Sequence, residues 1–147
     1  MVRNQRAILI VDDNTQDSKL SEIAFRKSGA RGQLTRVSDG QELMDYLHRR
    51  GRFHNEADAP TPALILLDLE MPNMDGRKAL TELRSTPSLR QIPIVVMTNS
   101  RDPVAIRECY TLGANAYAVK PQEFKDFVET FRRIEMFWLE TAELPEP

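Results

Sequence analysis

The stretch Ala63-Leu64-Ile65-Leu66-Leu67-Asp68 is an uninterrupted apolar run that ends in a carboxylate. A short run of this kind is typical of a strand that is buried on both faces of a parallel sheet. Similar short apolar segments cover residues 7–12, 33–37, 92–97 and 116–119. We therefore predict five strands, of which residues 63–68 form the third.

Segments with the spacing of amphipathic helices follow each of these runs. They are residues 15–29, 39–50, 75–85, 102–113 and 122–140. Regular alternation of strands and helices predicts parallel strands that are joined by right-handed crossovers, with helices on both faces of the sheet. The fold class is therefore α/β, with five βα units.

Residues that favour turns and helix ends support these boundaries. Asp39 and Asp102 are candidate N-caps; Glu42 stands at capping-box spacing, and Pro103 suits a first helical position. Helix-breaking residues follow the first four helices: Gly29, Gly32, Gly51, Pro87 and Gly113. The one long connection, residues 51–62, ends in Pro60-Thr61-Pro62, and we expect it to be an exposed loop.

The length of 147 residues predicts one domain over 1–147, with a core over 7–135 and a C-terminal extension over 136–147. A net charge of −2 and the lack of a basic stripe argue against nucleic-acid binding. No apolar run approaches the roughly 20 residues that span a bilayer, and the N-terminus does not read as a secretory signal. Cys109 is the single cysteine, which fits a reducing cytoplasm.

Polar residues stand at the ends of four predicted strands: Asp12 and Asp13, Asp68, Thr98 and Lys120. In an open parallel sheet, ligands bind beyond the carboxyl ends of the strands. Any one of these residues alone is more simply explained as a helix cap or a solvated turn. Together they predict a functional crevice.

Three carboxylates held close together repel one another unless a cation compensates them. Mg²⁺ prefers oxygen ligands, whereas zinc would require histidine or cysteine, and we expect His48 and His54 to lie on the surface. We predict that Asp13 binds Mg²⁺ directly and that Asp12 acts through water or beside the metal ligands.

A carboxylate beside Mg²⁺, a lysine and a hydroxyl has the groups that phosphoryl transfer requires. We assign Asp68 as the phosphoacceptor, because its strand lies centrally between the others. Lys120 is expected to pair with the phosphoryl oxygens.

Four parts of the sequence resemble the receiver domain of two-component response regulators, over residues 7 to about 135. They are Asp12-Asp13, Asp68-Leu69-Glu70-Met71-Pro72-Asn73-Met74-Asp75-Gly76, Thr98 and Tyr117-Ala118-Val119-Lys120-Pro121. The resemblance implies a flavodoxin-like fold with strand order 2-1-3-4-5. It implies phosphorylation of Asp68 by a sensor histidine kinase, with Mg²⁺ held by Asp13, Asp68 and the backbone carbonyl of Glu70.

The resemblance also assigns Thr98 and Tyr117 to a conformational switch and suggests a cis peptide bond between Lys120 and Pro121. In the switch, the hydroxyl of Thr98 moves toward the phosphoryl group and the ring of Tyr117 turns inward behind it. In receivers, the position of Glu70 flanks the path of the hydrolytic water. We therefore hypothesise that the Glu70 side chain affects autodephosphorylation.

The last predicted helix carries an apolar stripe that we assign to the core. With Phe124 at 0° and 100° per residue, the stripe holds Phe127, Val128, Phe131, Ile134, Trp138 and Leu139 within about 80°. Met136 and Phe137 point elsewhere, at about 120° and 220°. We predict a partner or dimer surface at Met136, Phe137 and Trp138.

This C-terminal extension and the long loop over 51–62 look like the small response regulators that are paired with bacterial and cyanobacterial phytochromes. That closer likeness implies a red-light-sensing histidine kinase as the phosphodonor. It also implies a homodimer built on the fourth helix, fifth strand and fifth helix. Because no residues remain for an output domain, we expect the protein to signal by changing its interaction surface.

The sequence favours three other functions less. A flavin-binding electron carrier is disfavoured, because acids stand where the flavin phosphate would bind and no glycine follows Asp13. A phosphoester hydrolase is disfavoured because nothing resembles a substrate lid, so we do not expect an enzyme that turns over a separate substrate. The main alternative is a receiver-like scaffold that acts without phosphorylation.

Overall fold

The structure is a computed structural model that describes residues 6–29, 32–55, 59–71 and 74–145. Its five strands are β1 (Ala7–Val11), β2 (Gln33–Val37), β3 (Leu64–Leu67), β4 (Ile94–Thr98) and β5 (Ala116–Val119). Its α-helices are α1 (Thr15–Lys27), α2 (Gly40–Leu47), α3 (Gly76–Ser85), α4 (Pro103–Thr111) and α5 (Phe124–Glu135). None of the helices in these ranges is both long and apolar enough to cross a membrane.

The strands form one parallel sheet in the order β2-β1-β3-β4-β5, which confirms the predicted fold. Successive side chains of β3 point to opposite faces, as the pleat requires. Ile65 and Leu67 belong to one apolar cluster with α2 and α3, while Leu64 and Leu66 belong to another with α1 and α5. Burial on both faces explains why this strand is apolar at every position.

The helix starts follow the predicted capping pattern. The side chains of Asp39 and Asp102 accept hydrogen bonds from the backbone N–H groups of Glu42 and Val104, and Pro103 is the first residue of α4. Glu42 returns a bond one residue earlier than in a standard capping box, because its Oε1 accepts from the N–H of Ser38 over 3.1 Å.

Several element boundaries differ from those predicted: α1 ends at Lys27 rather than at residue 29, and α5 covers Phe124–Glu135 rather than residues 122–140. Helix α2 ends at Leu47 rather than at residue 50, because Arg49 takes a positive φ of 53° that a continuing helix does not allow. Strand β4 begins at Ile94 and includes Thr98, whereas we predicted residues 92–97. Pro93 lacks the N–H that a central strand position would donate, which accounts for the later start.

The connection over 51–62 is less exposed than predicted. Gly51–Phe53 form a turn of 3₁₀ helix, and the side chains of Phe53 and Ala59 are buried in the core. The ring of Phe53 packs edge-on against Tyr46 at 5.1 Å, and the Tyr46 hydroxyl donates to the carbonyl of Pro60 over 2.8 Å. These contacts fasten the connection to α2; residues 56–58 lie outside the described ranges.

The stripe on α5 packs mainly as predicted, since Phe127, Phe131 and Leu139 are buried. Val128, Ile134 and Trp138 pack at its border. Phe124 marks the centre of the predicted core stripe, but its side chain is 43% exposed, so the prediction is wrong at this residue. A side chain in a helix lies over the turn that precedes its own residue. Phe124 is the first residue of α5, so no turn of this helix precedes it and its ring extends beyond the packed part of the helix.

The chain continues beyond α5 as a π-helical turn over Met136–Thr141. Phe137 is 51% exposed and Met136 is also exposed, whereas Trp138 is half-buried. The rings of Phe137 and Trp138 meet edge to face at 5.1 Å. The exposed Phe137 and the half-buried Trp138 therefore lie beside the buried Leu139.

Candidate active site

The polar residues at the strand ends lie at one edge of the sheet. Asp12 and Asp68 directly follow the neighbouring strands β1 and β3, and Thr98 is the last residue of β4. Lys120 follows β5, where its backbone N–H donates to the carbonyl of Thr98 over 2.8 Å. Because all five strands run in the same direction, their carboxyl ends place these side chains together.

Asp68, Thr98 and Lys120 border a crevice of about 380 Å³. It is lined by Asp13, Asn14, Asp17, Asp68, Glu70, Thr98, Asn99, Ser100 and Lys120. Asp13 and Glu70 are exposed at its mouth, while Asp68, Thr98 and Lys120 are buried. The crevice therefore presents charged groups that are partly removed from water but reachable from it. His48 and His54 are exposed and do not line it.

The Lys120 ammonium contacts three carboxylates. Its Nζ lies 2.8 Å from Asp12 Oδ2, 2.9 Å from Asp17 Oδ2 and 3.3 Å from Asp68 Oδ2. Burial alone would lower the pKa of Lys120, but the hydrogen bonds to Asp12 and Asp17 raise it above its ordinary value. The lysine therefore stays charged at the centre of the site.

Asp68 is a buried carboxylate that lies beside the charges of Lys120 and Asp12. Burial raises the pKa of Asp68; the Lys120 charge lowers it, and the nearby Asp12 charge raises it again. The backbone N–H of Glu70 donates to Asp68 Oδ1 over 3.3 Å. Without a further cation, the ionised form of Asp68 is therefore held at some cost in free energy.

Three acids in the described part of the chain are placed to share a metal ion. Asp12, Asp13 and Asp68 each offer one carboxylate oxygen, and these atoms all lie within 4.8 Å of one another. Oxygen ligands of this kind suit a hard divalent cation such as Mg²⁺. The three carboxylates therefore fit a divalent cation, whose charge would offset their mutual repulsion. Pro72 and Asn73 of the neighbouring motif lie outside the described residues.

Tyr117 lies beside the crevice rather than in its lining. The ring is half-buried against the core, and its hydroxyl donates to the carbonyl of Ser100 over 2.8 Å. Burial raises the pKa of Tyr117, so the phenol is neutral. The peptide bond between Lys120 and Pro121 is trans, not cis as the resemblance suggests, and from it Lys120 reaches all three carboxylates.

The sequence interpretation did not include Asp17, the third acid that binds Lys120. Asp17 stands in the first turn of α1, where Asn14 is the N-cap and its Oδ1 accepts from the Asp17 N–H over 3.0 Å. An acid three residues after an N-cap is ordinarily a capping residue. The available signal was therefore the spacing from Asn14, which points to a cap and not to the site.

Comparison with known proteins identifies this arrangement. The family of response regulator receiver domains matches residues 8–132. The chain belongs to this family. It is 38% identical over 140 residues to the response regulator Rcp1 of Synechocystis sp., covering 95% of this chain and 93% of that protein.

Two solved structures support the same assignment for this receiver domain. The phosphorylated cyanobacterial phytochrome response regulator RcpA is 38% identical, with a TM-score of 0.89, over 97% of this chain and 99% of that one. The response regulator RPA3017 in red light signalling of R. palustris is 37% identical, with a TM-score of 0.91, over the same shares. The resemblance to phytochrome-associated response regulators is thereby confirmed.

Membership of the family settles the general role of the receiver domain. It is a signalling component of a two-component system, with a histidine kinase as its partner. Receivers take a divalent metal at the acidic pocket, and a solved structure of Rcp1 is of its Mn²⁺-bound form. The family is generally not enzymatic.

Proposed function

We propose that this receiver accepts a phosphoryl group from a kinase phosphohistidine on Asp68, with Mg²⁺ as its cation. The observation that carries the proposal is the position of the Asp68 carboxylate. It is held at the end of the central strand, 3.3 Å from the Lys120 ammonium and within 4.8 Å of the oxygens of Asp12 and Asp13. A nucleophile, a fixed positive charge and a metal-binding acid cluster therefore meet at one crevice.

In the proposed reaction, a carboxylate oxygen of Asp68 forms a bond to phosphorus. The bond from phosphorus to the imidazole nitrogen of the donor breaks, and that nitrogen keeps the electron pair and takes a proton. Lys120 supplies an ammonium charge for the phosphoryl oxygens, and the Thr98 hydroxyl lies in the crevice as a further donor. The products are an aspartyl phosphate and a neutral histidine.

The cation would be held by Asp13, Asp68 and the backbone carbonyl of Glu70, with Asp12 reaching it through water. When bound, Mg²⁺ supplies positive charge that offsets the carboxylates and the arriving phosphoryl group. The clustering of Asp12, Asp13 and Asp68 supports this assignment. The Glu70 side chain is exposed at the mouth of the crevice, which supports an influence on hydrolysis.

Signal decay in this proposal is attack of water on phosphorus, with cleavage of the bond to Asp68 and release of inorganic phosphate. The water loses a proton, and the Asp68 carboxylate is restored. Glu70→Asn should change the decay rate of the phosphorylated receiver, because the acidic side chain flanks the approach of the water. An unchanged decay rate would refute the role of Glu70.

We further propose that phosphorylation is transmitted through Thr98 and Tyr117. The phosphoryl group adds about −1.5 to −2 charges near Thr98. Tyr117 holds the carbonyl of Ser100, two residues beyond Thr98, and so links the loop after β4 to β5. A change at Thr98 would therefore reach the surface formed by α4, β5 and α5.

The proposed donor is a phytochrome-type histidine kinase, by analogy with the response regulators RcpA and RPA3017. The proposed assembly is a homodimer through α4, β5 and α5, with Met136, Phe137 and Trp138 at its edge. The exposed Phe137, together with exposed Val104 and Tyr110 on α4, supports an apolar contact surface there. The buried free thiol of Cys109 is consistent with a cytoplasmic location.

The decisive experiment incubates the protein with acetyl phosphate and Mg²⁺ and counts phosphoryl groups by intact mass. We expect one group on the wild type, none on Asp68→Asn and one on Asp126→Asn, which removes an exposed acid from α5. A group retained by Asp68→Asn would place the acceptor elsewhere. No group on the wild type would favour the alternative of an unphosphorylated scaffold.

A further inference from the structure

Every donor of the Lys120 ammonium is already engaged. A lysine ammonium has three N–H groups, and Nζ lies within 3.3 Å of three acceptors, namely Asp12, Asp17 and Asp68. If Lys120 is to donate to a phosphoryl group on Asp68, it must therefore give up its hydrogen bond to at least one of these three carboxylates. Asp17 is the acceptor that stands outside the metal cluster.

The local structure of α1 explains why Asp17 faces the lysine. An acid at this position usually reaches back to the N–H of the N-cap residue. Here the N–H of Asn14 already donates to Asp12 Oδ1 over 2.8 Å, so this donor is not available to Asp17. In α2 the corresponding acid, Glu42, does bond back to a backbone N–H.

Asp17 is also the carboxylate best placed to release the lysine. Its side chain is 22% exposed, compared with 7% for Asp12 and 11% for Asp68. Water can therefore take over the Asp17 oxygens when Lys120 moves, whereas Asp12 would lose a buried partner. Its negative charge also adds to the field that attracts a cation and repels a phosphoryl donor.

We propose that Asp17 is a positioning residue that competes with the phosphoryl group for Lys120. Its carboxylate restrains the lysine and offsets its charge before phosphorylation, and it strengthens binding of the divalent cation. The inference deepens the proposed function, because it rests on phosphorylation of Asp68. In this proposal the carboxylate of Asp17, in the first turn of α1, slows phosphorylation of Asp68.

The test is Asp17→Asn, which removes the charge but keeps the shape of the side chain. The apparent Mg²⁺ affinity should weaken about threefold, because one nearby negative charge is lost. The rate of phosphorylation by acetyl phosphate at saturating Mg²⁺ should rise about fivefold, or about 1 kcal/mol in the barrier. A merely structural loss at the helix start would not raise the rate while lowering metal affinity.

Two variants serve as controls in the same assay. Asp17→Glu keeps the negative charge, so its phosphorylation rate should remain within about twofold of the wild-type rate. Glu22→Gln makes the same charge change on the exposed face of α1, where Glu22 pairs with Arg26 over 3.7 Å. Glu22→Gln should leave both the metal affinity and the rate unchanged. Thermal denaturation checks that all variants are folded.

The outcomes separate this inference from the function on which it rests. If the wild type is phosphorylated on Asp68 but Asp17→Asn reacts at the same rate or more slowly, Asp17 does not slow phosphorylation and the inference is wrong. If Glu22→Gln accelerates as much as Asp17→Asn, the effect is one of net charge and the inference is wrong. If the wild type itself takes no phosphoryl group, the proposed function fails instead.

Discussion

The hydroxyl of Tyr117 donates a hydrogen bond to the backbone carbonyl oxygen of Ser100 over 2.8 Å. Ser100 lines the crevice, while Tyr117 belongs to β5 and packs on the core. One hydrogen bond therefore joins the rim of the site to the strand at the edge of the sheet. Any movement of the loop after β4 must either keep this bond or break it.

Tyr117→Phe should lower the free energy of unfolding by about 1 kcal/mol, because it removes the donor to Ser100. Tyr110→Phe is the matched comparison, since the Tyr110 hydroxyl accepts a longer, exposed bond of 3.2 Å from the Tyr117 N–H. We expect a loss below about 0.5 kcal/mol there. Urea denaturation measures both, and equal losses would show that the Tyr117 bond has no special weight.

Mg²⁺ should raise the melting temperature of the wild type, because a bound cation stabilises the folded state by mass action. Asp13→Asn should reduce this rise and should itself melt a few degrees higher, about 3 °C, without metal. The reason is relief of repulsion with Asp12 and Asp68, whose oxygens lie within 4.8 Å of those of Asp13. Thermal denaturation with and without millimolar Mg²⁺ measures this; a full metal response in Asp13→Asn would exclude Asp13 as a ligand.

Phe137→Asp should shift the protein toward monomer, because a carboxylate would be buried in the proposed dimer contact. Ile23→Asp is the control, since Ile23 is an exposed apolar residue on α1, a helix that is not part of the proposed face. Sedimentation velocity at high micromolar concentration, with and without phosphorylation, reports the oligomeric state. A wild type that stays monomeric in both conditions would contradict the homodimer.

Glu135→Gln should stabilise the protein at neutral pH by roughly 1 kcal/mol. Burial, and then the charge of Glu140, raise the pKa of Glu135, while Arg132 lowers it. The folded state therefore binds this proton more tightly than the unfolded state does. The stabilisation from the bound proton is complete below the ordinary carboxyl pKa and is lost as pH rises through the raised one.

The advantage of Glu135→Gln should therefore be largest near about pH 7 and shrink toward about pH 4. Urea denaturation of both proteins across this range is the measurement. Glu123→Gln removes an exposed carboxylate at the start of α5 and is the control at neutral pH, where it should change stability by less than about 0.5 kcal/mol. A constant difference between Glu135→Gln and the wild type would mean that protonation of Glu135 is not linked to folding.

Arg84→Lys should cost about 2 to 3 kcal/mol of stability, because the planar guanidinium of Arg84 joins three segments at once. Its nitrogens donate to the carbonyls of Gly113, Arg90 and Ile92 and to Asn115 Oδ1, over distances from 2.8 to 3.0 Å. Arg90→Lys changes an exposed arginine and should cost less than about 0.5 kcal/mol. A urea midpoint for Arg84→Lys equal to that for Arg90→Lys would contradict this role.

The strands and the main site residues could be predicted because apolar runs and polar strand ends are local signals. Buried runs such as Leu64–Leu67 mark parallel strands, and a parallel sheet then brings the strand ends at Asp68 and Lys120 to the same edge. The strand order came from the resemblance to receivers, since spacing alone does not fix which strands are neighbours.

The remaining features depend on contacts that are distant in sequence or on unusual backbone geometry. The sequence position of Asp17 indicates a helix cap. Only the structure shows that the N–H of Asn14 donates to Asp12 instead, which leaves the Asp17 carboxylate to bind Lys120. Burial of Phe53 follows from its contact with Tyr46, which no periodicity in the long loop indicates.

The π-helical turn over Met136–Thr141 puts the exposed Phe137 and the buried Leu139 two residues apart, and the N–H of Ala142 closes the turn on the carbonyl of Phe137 over 2.7 Å. Removing one residue would rotate every later side chain by about 100° around the helix axis. Both the anchor in the core and the outward aromatic would then be displaced together. Among related sequences, we expect this turn to conserve its length and to keep an apolar residue at the position of Leu139.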